Sequence, residues 1–349
     1  MKAVNRGVPN PRDWRPAENL PLAVEALRSA KRVLLTMHRG PDGDALGSAL
    51  ALAQALRELG REVVVYNPDE LPYNFRFLAG AAEVVRSLPA GARFDATVAT
   101  DSGKFERLGP DIPPPERRGV LINLDHHLTT EPFGEVNYVD PAAAAVGVLV
   151  YKIIQGLGHK VSLQSAECIY ASILADTGCF KYASTDPECL RIAAELLEAG
   201  VDPWEMTVRV YEQQPLARMK LLAEVLGTLE VEGRLATITI KNEMIARTGT
   251  HLDLTDGFIN YARSIDGVEV AASFREPQAS APKSWQVSFR SRGRVDVAAI
   301  AQRFGGGGHR NAAGCSIEGE EAQVRARIAL EIEQALADPA GPGQAADRG

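Results

Sequence analysis

Between His38 and Asp44 the chain reads His-Arg-Gly-Pro-Asp-Gly-Asp, so one histidine and two aspartates (Asp42, Asp44) fall within seven residues. A turn needs one aspartate to cap the helix that follows, not this density of imidazole and carboxylate. A hard or borderline divalent ion does need it. Three more clusters of the same chemistry follow. Asp101 ends "DATVAT" (95–100), Asp125, His126 and His127 end "GVLINL" (119–124), and Asp176 ends "AECIYASILA" (166–175). Carboxylates with two or three imidazoles suit Mn²⁺ or a similar ion, whereas structural zinc sites favour thiolates. The set exceeds what one ion needs. Two ions about 3.5–4 Å apart, bridged by a shared carboxylate, can clamp a phosphoryl group and activate water.

Taken singly, each aspartate has a plainer reading as a helix cap or turn former, and Asp42 and Asp44 precede a helical stretch. That reading leaves His38 and the His126–His127 pair unexplained. It also leaves unexplained why all four clusters fall on one expected edge.

The surrounding elements supply that edge. "RVLLTM" (32–37), "REVVVYN" (61–67), 95–100 and 119–124 are short, nearly continuous apolar runs. Alternating with helical stretches such as "ALGSALALAQALREL" (45–59), they indicate a parallel sheet covered on both faces. Ligands of open α/β sheets bind at the carboxyl ends of the strands, where three clusters lie; the fourth ends a helix.

Past residue 190 the texture changes. The segments 187–200 and 202–230 read as helices, the second as a connector. Alternating runs at 235–240, 268–276 and 284–292 read as strands. A short helix (295–304) leads into "GGGGHRNAAGCS" (305–316), and a last helix spans 320–337. The expected division is 1–205 for the catalytic α/β domain, 206–230 for a helical linker and 231–338 for a smaller α/β domain. Residues 1–20 read as a loose arm, and 339–349, rich in Pro, Gly and Ala, as a disordered tail.

Composition narrows the partners. A net charge of −7 offers no broad basic surface for long duplex nucleic acid, so an anionic substrate should be small or locally held. Cys168, Cys179, Cys189 and Cys315 form no CxxC pair, which argues against a zinc ribbon or disulfide framework and for a reducing compartment. Neither a long apolar span nor a signal-peptide core is present, so a cytoplasmic protein without membrane contact is expected.

In order and spacing, "HRGPDGDALGS" (38–48), "ATDSG" (99–103), "LDHH" (124–127) and "LADTGCF" (174–180) resemble the four motifs of the DHH phosphoesterase family. "FGGGGHRNAAG" (304–314) resembles the glycine-rich motif of the DHH-associated C-terminal domain. The compact size is similar to the bacterial oligoribonuclease/pAp phosphatase branch. The resemblance implies two Mn²⁺ ions, with Mg²⁺ or Co²⁺ as substitutes. His38 and Asp42 would hold one ion, Asp44 and His126 the other. Asp101 would bridge the pair and Asp176 complete the second site. Asp125 would orient a histidine from behind the ligands, and His127 would face the substrate phosphate as ligand or proton donor. Arg290, Ser291, Gly306, Gly307, Gly308, His309 and Asn311 would bind a substrate phosphate, with exposed backbone N–H groups of the glycine run cradling it. The run departs from the family in its fourth glycine, since many relatives have three.

The implied activity is removal of mononucleotides from very short RNA, extending to 3′-phosphoadenosine 5′-phosphate (pAp), by a homodimer. Rival readings with the same metal core are a cyclic-dinucleotide or pApA/pGpG phosphodiesterase and a RecJ-like single-strand DNA exonuclease. The glycine motif speaks against a manganese pyrophosphatase. A non-catalytic nucleotide sensor would be marked by loss of a ligand, and none is missing.

Overall fold

The apolar runs that end at ligand-type residues become strands, and one helix, in the computed structural model, which describes residues 14–277 and 284–337. Two compact units meet at Gln213 and Gln214. In the first, β1 (Arg32–Met37), β2 (Glu62–Tyr66), β3 (Ala96–Thr100), β4 (Val120–Asp125) and β5 (Val136–Val139) form one sheet in the order β2-β1-β3-β4-β5. Every pairing in it is parallel. The helices are α1 (Pro16–Ser29), α2 (Gly43–Glu58), the single turn α3 (Pro115–Arg118), α4 (Val146–Gly156), α5 (Leu163–Thr177), α6 (Pro187–Glu198) and α7 (Pro203–Thr207).

One sheet face, with Val33, Leu35, Val98 and Ile122, packs against Leu46, Leu50, Leu149 and Ile173 of α2, α4 and α5. Leu34 and Tyr66 on the other face meet Phe94 from a loop. The strands are apolar throughout because helices cover one side and loops the other. Helix α2 is apolar nearly all round and almost wholly buried, as a central helix must be. Its approach to α5 depends on Gly47, where a Cβ would stand 2.6 Å from the Cys168 carbonyl oxygen.

Two expectations are corrected. Residues 16–20, read as part of a loose arm, form the first turn of α1, with Pro16 at its start, where a missing N–H costs nothing. The remaining arm, 1–13, and the tail 339–349 lie outside the described residues. The stretch 202–230 is not one helix: α7 passes into a π turn at Val208–Glu212, and a new helix, α8 (Leu216–Leu226), starts after Pro215. Proline lacks the N–H that would continue the ladder.

Helix α8 belongs to the second unit, where Leu221, Leu222 and Val225 are buried with Ile238 and Phe258. That unit contains β6 (Glu230–Glu232), β7 (Leu235–Ile240), α9 (Asn242–Thr248), α10 (Phe258–Arg263), β8 (Val270–Arg275), β9 (Ser284–Ser291), α11 (Val297–Arg303), β10 (Gly307–His309), β11 (Ala312–Glu318) and α12 (Glu321–Ala337). Its sheet runs β10-β11-β9-β8-β7-β6. Only β7 and β8 pair in parallel; the rest are antiparallel. Val287, Phe289 and Cys315 face Ile300, Val324 and Ile328 of α11 and α12.

Candidate active site

In the first sheet the connections diverge between β1 and β3, the position where open α/β sheets hold their ligands. His38 leaves β1 and Asp101 leaves β3, and the pairing of Met37 with Thr100 makes them neighbours. His38 Nε2 lies 3.5 Å from Asp101 Oδ2 and 3.9 Å from Asp42 Oδ2. Asp42 also caps α2, its Oδ1 accepting from the Ala45 N–H at 3.0 Å. The cap and the cluster therefore use different oxygens. Opposite, His126 Nε2 faces Asp176 Oδ2 at 3.1 Å, Asp44 Oδ2 at 3.7 Å and Asp101 Oδ1 at 3.8 Å. Three overlapping groups result, His38/Asp42/Asp101, Asp44/His126/Asp176 and Asp101/His126/His127, each with its ligand-type atoms within 4.8 Å of one another. Asp101 belongs to two of them and faces His126 of the other.

Surrounding groups fix these side chains. His38 Nδ1 lies 2.9 Å from the Arg39 carbonyl and His126 Nδ1 3.0 Å from the Ala143 carbonyl, which turns both Nε2 atoms towards the carboxylates. Asp44 is fully buried and accepts from Val146 N–H (2.8 Å), Gly147 N–H (3.3 Å), Ser48 Oγ (3.1 Å) and Ser172 Oγ (2.5 Å). Asp125 Oδ1 accepts from the N–H groups of His126 and His127 and stands 2.7 Å from His127 Nδ1. Its other oxygen accepts from Thr130 Oγ1. Ser48, Ser172 and Thr130 were missed in the sequence. A signal existed for the serines, since each stands one helical turn from an aspartate of the cluster.

The crowded carboxylates perturb one another. Burial and the charges of Asp176 and Asp101 push Asp44 well above the usual carboxyl range. Burial alone would lower His127, but the charge of Asp101 and the hydrogen bond to Asp125 carry it to about 9. Asp101, although buried, is held well below its ordinary value by the imidazoles of His127, His38 and His126. Its φ of 55° is a left-handed conformation uncommon outside glycine, aspartate and asparagine. Asp101 Oδ1 is buried and accepts no hydrogen bond among the described residues. Among the described residues of this cluster, protons on the histidines are the positive charge that could offset its carboxylates. A divalent cation fits the same donors, all oxygen or imidazole nitrogen.

In the second unit Arg290, Ala312 and His309 stand opposite one another across β9, β11 and β10. The Arg290 guanidinium donates to the Phe289 carbonyl at 3.0 Å. Ser291 points to the other face, buried, where its Oγ accepts from Gly293 N–H at 2.9 Å. The Asn311 amide oxygen is buried without a hydrogen bond among the described residues. The glycine run is an edge strand in a hairpin rather than an open cradle. A Cβ at Gly306 would lie 2.1 Å from the Gly314 carbonyl, and one at Gly308 2.5 Å from the Ala312 carbonyl, whereas Gly307 meets nothing within 4 Å. Pairing with β11 therefore requires Gly306 and Gly308 and leaves Gly307 open. The His309 side chain lies outside the described residues.

Comparison with known proteins agrees with this geometry. Residues 32–173 match the DHH family N-terminal domain and 236–337 the DHHA1 domain. The chain is 36% identical over 318 residues to the bifunctional oligoribonuclease and PAP phosphatase NrnA of Thermus thermophilus, covering 89% of this chain and 91% of that one. It is 29% identical to the Bacillus subtilis protein of the same name, over 82% of this chain and 89% of that one. A crystal structure of an exopolyphosphatase-related protein from Bacteroides fragilis superposes with a TM-score of 0.80 at 26% identity, covering 92% of this chain and 96% of that one. On these matches the chain belongs to the DHH family of metal-dependent phosphoesterases, with a DHHA1 domain as its second unit.

Proposed function

We propose that this enzyme degrades very short RNA to mononucleotides and also removes a phosphate from pAp, with two Mn²⁺ ions as cofactors that Mg²⁺ or Co²⁺ can replace. The observation that carries this reading is the meeting of two acid–imidazole groups at one shared carboxylate, Asp101. His38, Asp42 and Asp101 would hold one ion; Asp44, His126 and Asp176, with Asp101, the other. When bound, the ions supply the charge that stabilises an in-line displacement at phosphorus and lower the pKa of water. His127 is backed by Asp125 at 2.7 Å, which would orient its ring to donate to a leaving oxygen. Arg290, Gly306, Gly307, Gly308, His309 and Asn311 would bind a substrate phosphate, Gly307 offering the open backbone of the run, while Ser291, buried on the opposite face, would hold the Gly293 turn instead of touching substrate. Names of relatives more than a quarter identical support the substrate class. Four unpaired cysteines fit the cytoplasm. A homodimer is the expected assembly, and light scattering on the purified chain would settle it.

The test is turnover of end-labelled two- to twenty-nucleotide RNA and DNA, beside pAp and cyclic and linear dinucleotides, with Mn²⁺. The fastest hydrolysis is expected on RNAs of two to five nucleotides. Asp101→Ala should abolish it and lower the bound manganese. Two metals and near-normal turnover in that variant would overturn the assignment, and rates that climb with DNA length would favour the RecJ-like reading.

A further inference from the structure

Arg275, the last residue of β8, is half-buried, and among the described residues it makes no hydrogen bond or ion pair. Burial alone lowers its pKa, with no charged neighbour acting on it. Arg325 shows what a structural arginine looks like in this unit: it bonds Glu230, Glu321, Thr237 and Thr239. A guanidinium keeps its charge, so desolvating one without a counter-charge is an uncompensated cost.

The strand register shows what Arg275 faces. It pairs with the buried Ile240 of β7 on one side and with Gln286 of β9 on the other, and Gln286 pairs with Ser316. Two residues along come Ser273, Ser288, Gly314 and Gly307, and two further Ala271, Arg290, Ala312 and His309. Paired residues, and residues two apart on one strand, share a face. Arg275 and Arg290 thus stand on the same face, with serine, glutamine and glycine between them. None of these three rows carries an acidic residue. Four residues along a strand and one strand across separate their Cα atoms by about 14 Å, too far for both to grip one phosphate from side chains that stand roughly perpendicular to the sheet.

We propose that Arg275 is a second phosphate contact for oligonucleotide substrates, holding a phosphate along the strand from the one bound at Arg290. This rests on the functional reading above. It makes β8 and β9 a length gauge, in which a strand long enough to reach both arginines gains a charge-assisted contact that a dinucleotide lacks.

The experiment compares wild type, Arg275→Gln and Arg275→Lys in three measurements: kinetics on di-, tri- and pentaribonucleotides, thermal unfolding, and pentaribonucleotide binding at several salt concentrations in an Asp101→Asn background. Arg275→Gln should raise KM for the pentamer about tenfold more than for the dimer, a loss of about 1.4 kcal/mol. The salt slope of binding should become shallower by about 0.7, and Arg275→Lys should recover much of both. Unfolding temperature should hold or rise, because the deleted charge had no partner. An equal KM change at every length, or a melting temperature lower by several degrees, would overturn the proposal and mark Arg275 as structural. Should wild type cleave none of the RNAs, the functional reading fails by itself. The binding arm then decides Arg275 alone, since an unchanged salt slope removes it as an anion contact.

Discussion

Asp44 and Asp176 face the same imidazole nitrogen but differ in what else depends on them. Asp44 accepts from two backbone N–H groups and two serines, so Asp44→Ala strands buried donors and should cost about 2–4 kcal/mol even in chelated protein. The Asp176 side chain is 24% exposed, and Asp176→Ala should lose metal affinity at a folding cost of about 1 kcal/mol or less. Urea unfolding in chelator, beside manganese titration, separates the two; equal folding costs would contradict this. The histidines predict a pH dependence. His38 and His126 are raised, and His127 reaches about 9. Their stabilisation of the metal-free fold is complete below the unfolded value of about 6.5 and is lost as pH rises through the folded values. Raised Asp44 acts in the same sense, because folding favours its protonated form. Metal needs the deprotonated ligands and binds better as pH rises. The gap in melting temperature between loaded and chelated protein should therefore widen from pH 6.5 to 9. A narrowing gap would show that protons do not stand in for metal here.

Among the elements, close approach of α2 to α5 is what brings Asp44 beside Asp176. Gly47→Ala should force the helices apart, cost about 1–3 kcal/mol and weaken metal binding, as melting and manganese titration would show. Unaltered metal affinity would mean the α5 end moves independently of its packing. The contribution of β1, β3, β4 and α5 was legible in the sequence because apolar run and chemical residue are contiguous in each. The contribution of α4 was not: the N–H groups of Val146 and Gly147 reach Asp44 across 102 and 103 residues, and no local pattern announces that meeting. Four glycines have no side-chain periodicity, so only pairing with β11 reveals 307–309 as a strand. The apolar pattern of 202–230 runs straight through Pro215, where the backbone cannot follow.

For the molecule as a whole, charge limits what it can hold. At −7, the proposed affinity for RNA would have to come from few local cations. Binding of two- to twelve-nucleotide RNAs to Asp101→Asn should show a salt slope of roughly two to three contacts, at about 0.7 each, that stops steepening after about four nucleotides. A slope that grows steadily with length would point to a continuous basic track. No helix among the described residues is long and apolar enough to cross a membrane.

The left-handed backbone at Asp101 has a consequence for how such a chain can change over generations. Glycine holds this conformation without steric penalty, and aspartate and asparagine tolerate it better than most other residues; both alternatives to aspartate lie a single base substitution away from either of its codons. Replacement by either would remove the shared carboxylate while the strand, the turn and the packed core stay in place. If Asp101 bridges the metals as proposed, a folded descendant that has lost hydrolysis is therefore one mutational step away, and asparagine or glycine at this position is the mark by which it would be recognised.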